Sequence, residues 1–240
     1  MATVTVKTAC GVCGSESAQR ERMATTQMGP PDLDLRPAET ARSSMPFWLR
    51  QCAQCGFVAP SLEKAEAPEA AVVGSGPYRS LLADTNVPPL ARRFLLRAMI
   101  LEETGKLPEA AEETLHAAWV ADDARKGEWA RAWRRDAVAL FRSGPPVDVE
   151  QQVRIVDILR RAGDFQAAEE QAARLDRTPL VDPVDKVLAF ERQLIAKGDA
   201  RGYTVAAVLP PPAARPHVSH RGAPSARPGW LTRLRQWFGK

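Results

Sequence analysis

Two Cys-x-x-Cys-Gly pairs, strand-like alternation beside them, and helical periodicity from about residue 61 predict an α+β chain. The expected order is a small metal-stapled β unit over residues 1–60, then an all-α unit of helical hairpins over 61–209. A disordered Pro- and Arg-rich linker, 210–229, and a short basic amphipathic helix, 230–240, are expected to follow. A length of 240 residues suits about one or two domains. Apolar content of 45% and charged content of 26% are ordinary for a soluble fold.

Val4 and Val6 alternate with Thr3, Thr5 and Lys7, which predicts a strand running into Cys10-Gly11-Val12-Cys13-Gly14. Residues 18–28 read as a second strand. Gly29-Pro30-Pro31-Asp32-Leu33-Asp34-Leu35-Arg36-Pro37 reads as irregular, because three prolines fit neither ladder nor helix. Residues 47–51 read as a strand entering Cys52-Ala53-Gln54-Cys55-Gly56, and 57–59 as one leaving it. The glycine after each second cysteine permits a positive φ. Such a turn aims two thiolates and nearby N–H groups at one metal.

With 38 residues between the pairs, strand–turn–strand repeated twice is the layout of a zinc ribbon. Residues 1–60 hold few large apolar side chains, so a metal supplies stability that burial cannot. Cys10, Cys13, Cys52 and Cys55 are the expected ligands of one zinc per chain. Iron in a rubredoxin-like tetrathiolate site is the alternative, since that fold uses the same spacing. A thioredoxin-like dithiol fits less well, lacking a βαβ frame. Four protein ligands leave no open position, so the expected role is structural.

Ser61 reads as the N-cap of a first helix, broken at Gly74-Ser75-Gly76-Pro77. Helices are then expected over 90–103, from Pro108 to about 122, and over 128–141, 148–161, 164–175 and 183–197. Gly105, Gly144, Gly163 and Gly198 stop four of them. Gly105-Lys106-Leu107-Pro108-Glu109-Ala110 resembles Gly163-Asp164-Phe165-Gln166-Ala167-Ala168. Both read Gly-x-apolar-x-x-Ala, the turn and second-helix start of a tetratricopeptide-like hairpin, here 58 residues apart.

The two cysteine turns, the Pro-Asp-Leu-Asp-Leu-Arg-Pro loop, the Trp-containing strand before Cys52 and the helices resemble an uncharacterised bacterial family. Its members join an N-terminal four-cysteine zinc ribbon to tetratricopeptide-like helices. The likeness covers about residues 9–200, and it implies that Cys10, Cys13, Cys52 and Cys55 hold the metal. It implies no reaction.

The net charge of +4 belongs to the tail. Residues 210–240 carry six of the 33 basic residues and no acidic one, leaving 27 bases against 29 acids elsewhere. That balance speaks against nucleic-acid binding, which needs clustered cations. Trp129, Arg131, Trp133, Arg134 and Arg135 would be a helical patch for it, and the ribbon another. Packed tryptophans beside a solvated arginine face is the simpler reading.

His116 reads as a core histidine, and Asp32 and Asp34 as binding loop N–H groups. No catalytic constellation is present, so no enzyme is expected. The first residues carry no secretion signal and no run reaches the length of a membrane span, which fits the cytoplasm. Trp230, Leu231, Leu234, Trp237 and Phe238 share one helical face beside Arg233, Arg235 and Lys240. That face suits peripheral contact with the inner surface of the membrane; a partner groove or a frayed end are the alternatives. The leading expectation is a zinc-binding adaptor that holds a protein partner on its helices.

Overall fold

Alternation over the first residues forms a hairpin. β1 (Thr3–Ala9) pairs antiparallel with β2 (Glu16–Arg22), Thr3 opposite Arg22 and Ala9 opposite Glu16. The computed structural model describes residues 3–22 and 28–209. The rest of the second expected strand, up to residue 27, lies outside the described residues. So do the linker of 210–229 and the helix of 230–240.

The strand expected over 47–51 is shortened to β3 (Arg50–Gln51), which pairs with β4 (Val58–Ala59). A 3-10 turn, Arg42–Phe47, precedes it and contains Pro46. The Trp48 N–H donates to the Met45 carbonyl at 3.1 Å, and its indole Nε1 donates to Ser44 Oγ at 2.9 Å. These bonds curl the chain until Leu49, so strand pairing starts later than alternation suggests.

Ser61 caps no helix. Leu62 is fully buried and its carbonyl accepts the Gly11 N–H at 2.7 Å, which holds residues 61–65 along the first cysteine turn. α1 (Ala67–Gly74) begins only after Glu66, whose N–H donates to Glu69 Oε2 at 3.1 Å. Pro68 sits in its first turn, where a missing N–H costs nothing. α2 (Gly76–Ala83) starts at the expected break and had no sequence expectation; the Ser75 hydroxyl caps it by accepting from the Tyr78 N–H.

The six later helices form where periodicity puts them. They are α3 (Pro89–Glu103), α4 (Leu107–Asp123), α5 (Gly127–Ser143), α6 (Val149–Arg161), α7 (Phe165–Ala173) and α8 (Asp182–Ala196). Each packs on the next in order, and α6 also packs on α8. Gly105 and Gly163 lie at φ 76° and 82°. In both turns the residue after glycine donates back to a carbonyl five residues earlier, Lys106 to Leu101 and Asp164 to Leu159. Ala110 and Ala168 are fully buried.

A third turn repeats this geometry without a glycine. Arg125 sits at φ 56°, and the Lys126 N–H donates to the Ala121 carbonyl at 2.8 Å. Among the described residues, two small two-stranded pairs followed by eight helices make an α+β fold. One hydrophobic core runs from Cys10, Cys52 and Phe57 through Phe94 and Trp119 to Leu188. No helix among the described residues is long and apolar enough to cross a membrane.

Candidate metal centre

Each cysteine pair sits on the same closed turn. The Gly14 N–H donates to the Cys10 carbonyl at 2.7 Å, and the Gly56 N–H to the Cys52 carbonyl at 2.9 Å. Both glycines are left-handed, at φ 71° and 77°. The Cys10 N–H donates to the Ser15 carbonyl and the Cys52 N–H to that of Phe57, so each turn is pinned at both ends.

The turns face each other and bring all four Sγ atoms within 4.8 Å of one another. Cys10 and Cys55 lie 3.6 Å apart, Cys13 and Cys52 3.7 Å. A tetrahedral tetrathiolate site with metal–sulfur bonds of about 2.3 Å has sulfur–sulfur edges of about 3.8 Å. The cluster therefore has the size of a single-ion tetrathiolate cage. Such a donor set suits Zn²⁺ or one iron. Cys10, Cys52 and Cys55 are buried, and Cys13 is exposed.

Burial pushes the Cys10 and Cys55 thiols up. Burial acts the same way on Cys52, but the N–H groups of Cys55 and Gln54 outweigh it and bring that thiol down to about 7. Four thiols packed this tightly cannot all ionise beside one another without a cation between them. A divalent ion held by the four cysteines would supply that charge, with release of the thiol protons. With four protein sulfurs the cage is closed, which is the arrangement of a structural site.

The helical unit grips the cage. A Cβ on Gly11 would fall 2.7 Å from the Ala65 nitrogen, so the first turn lies flat on residues 63–65. A Cβ on Gly56 would meet Leu82 of α2 at 2.4 Å. Fully buried Tyr78 donates its Oη to the Gly56 carbonyl at 2.8 Å, and Arg79 donates to the Cys55 carbonyl at 2.9 Å. The helix that periodicity missed thus holds the second cysteine turn.

A second cluster, unforeseen in the sequence, sits on the helices. Asp34 is fully buried. Its Oδ1 accepts the Arg36 N–H at 3.2 Å, the loop contact expected of it. Its Oδ2 accepts from Trp119 Nε1 at 2.8 Å and from Arg161, with Arg134 Nη2 at 3.8 Å. Burial raises the Asp34 carboxyl, but Arg161 and then Arg134 overcome it and leave the group below its ordinary range. Asp122 closes the ring, accepting from Arg134 at 2.5 Å and Arg161 at 2.9 Å. Arg154 donates to the Asp34 carbonyl oxygen and pairs with Glu112. Asp32 instead pairs with Arg42 at 2.8 Å.

The Pro-rich loop is therefore seated on α4, α5 and α6 with the Asp34 carboxylate at the centre, and Arg36 adds an ion pair to Asp123 of α4. Residues after α8 cover it from outside: Leu33 N–H donates to the Tyr203 carbonyl and Val205 N–H to that of Pro31. Deeper still, Arg160 bridges Asp157 and Glu191, each at 2.6 Å, with all three residues buried.

His116 lies among the rings of Trp48, Phe94 and Trp119 at 4.8–5.2 Å, with Nδ1 3.0 Å from Glu113, so it belongs to the core. Trp129 and Trp133 pack ring to ring at 5.6 Å against the core. The solvated arginine face beside them is corrected at Arg134, which is buried among Asp122 and Asp34, while Arg135 pairs with Asp164. The signal available for these pairs was charge at apolar positions of a helical pattern, as at Arg134, Arg154, Asp157 and Arg160. No family model, curated protein or solved structure matches the chain.

Proposed function

We propose that the chain is a non-catalytic, zinc-binding scaffold whose helices hold a protein partner. The closed tetrathiolate cage carries the metal half of this reading. On it, the N-terminal unit is a zinc ribbon and the helices are tetratricopeptide-like hairpins, as in the uncharacterised family the sequence resembles. Zinc is favoured over iron because a closed tetrathiolate cage is the usual form of a structural Zn²⁺ site. Ion-paired arginines and an acidic body weigh against nucleic acid as the partner.

The metal's contribution is to fix two turns on a helical body that also has its own core. Affinity capture from nuclease-treated lysate tests the partner half. A protein retained by the full chain, and not by a resin control, supports the scaffold. Material retained from untreated lysate but lost after nuclease treatment would instead favour the nucleic-acid reading.

A further inference from the structure

The helical array has two faces, and the chain treats them differently. On α5, Arg134 points to the face closed by Asp34 and the Pro-rich loop. Trp133, Asp136 and Leu140 follow i, i+3, i+7 spacing, and Arg134 lies about 100° round the helix from Trp133. They belong to the other face. There α3 and α5 flank an open groove of about 460 Å³ that reaches Thr114 of α4.

Leu95 and Met99 of α3 and Trp133 and Leu140 of α5 line this groove half-buried, each still meeting water. Its polar lining is one-sided. Glu102 and Asp136 contribute carboxylates, and among the described residues no lysine, arginine or histidine lines it. Among the described residues neither carboxylate has an ion-pair partner, whereas Asp34, Asp122 and Glu112 on the opposite face do. Arg135, the neighbouring cation, is taken up by Asp164, which leaves the exposed Asp136 carboxylate facing the groove. An indole face beside two carboxylates attracts a cation twice over, by charge and by its π-cloud.

We infer that the groove between α3 and α5 receives a short basic amphipathic segment of a partner protein, with aliphatic anchors on Leu95, Met99 and Leu140 and a lysine or arginine at Asp136 and Trp133. This rests on the scaffold reading, and it names the surface and the chemistry of its partner. The size of the groove lies within the range of formed binding clefts, its apolar floor suits the apolar face of an amphipathic helix, and its two carboxylates complement a basic flank.

The test uses the full, metal-loaded chain and arrays of short synthetic peptides with leucine or phenylalanine at i, i+3, i+4 and i+7 and lysine beside that face. The same peptides with glutamate in place of lysine are controls. Binding of the basic series, weakened at high salt and lost about tenfold or more in the double variant Asp136→Lys, Glu102→Lys, supports the proposal. Both positions are exposed, so metal content and melting temperature of that variant should match the parent. Equal binding of basic and acidic peptides, or unchanged binding by the double variant, overturns it. If lysate capture yields a protein that the double variant also retains fully, the groove assignment fails and the scaffold reading stands. If lysate capture yields no protein and the basic peptides do not bind, both readings fail.

Discussion

Replacing Asp34 with Asn keeps the side chain's shape and removes its charge. Asp34 is fully buried and faces Arg161 and Arg134, while Trp119 donates to it at 2.8 Å. Breaking a buried pair by neutralising one partner costs about 3–5 kcal/mol, because the remaining cations stay out of water. Asp122 still accepts from both arginines and is itself partly exposed, so the loss should sit near the lower end, about 3 kcal/mol. The variant Asp34→Ala should lose more, since the Trp119 N–H then has no acceptor, a further cost of about 1–3 kcal/mol.

Chemical denaturation of the metal-loaded chain, followed by helical circular dichroism, measures both. The pH dependence gives a second readout. The Asp34 carboxyl is lower folded than unfolded, so its contribution is present above about pH 4 and fades as pH falls through the folded value. In Asp34→Asn that part of the acid lability disappears. A loss under about 0.5 kcal/mol, the usual scatter for surface changes, with unaltered acid lability would refute the claim that this carboxylate seats the loop on the helices.

Three other outcomes are expected. Ala110→Leu and Ala168→Leu each overpack a fully buried helix contact and should cost about 1–3 kcal/mol; an unchanged melting transition for both would break the equivalence of the two turns. Arg125→Gly relieves a left-handed φ of 56° and should raise stability by about 1 kcal/mol in a denaturation curve, unless that turn differs from those at Gly105 and Gly163. Burial, and then Glu191 across the shared Arg160, push Asp157 up to about 8. The native chain then keeps a proton that the unfolded chain loses above about pH 4, so stability falls as pH rises toward 8, and Asp157→Asn should remove that slope from a pH series of denaturation curves.

Local chemistry made much of this legible. Cysteine spacing brought together the four sulfurs, because a Cys-x-x-Cys-Gly turn is specified by its own residues. Periodicity located α3 to α8 for the same reason, each bounded by proline or glycine. What escaped was set by partners distant in sequence. Ser61 looks like a cap, yet Leu62 is pulled onto the first cysteine turn. α2 is too short for a clear period, yet its Tyr78 and Arg79 hold the second. Asp34 sits in a loop whose local chemistry explains only one of its bonds; the others come from residues 85 to 127 positions away. Arg125 occupies a turn that the motif assigns to glycine, so the third copy of the turn was hidden.

Elemental analysis of the purified full chain tests the central claim most directly. One zinc per chain is expected, and Cys52→Ser, which removes a buried sulfur 3.7 Å from Cys13, should release it. Iron at the same stoichiometry would assign the cage to the other metal its sulfurs suit. A chain that carries neither metal, and takes up none when zinc is supplied under reducing conditions, would contradict the account.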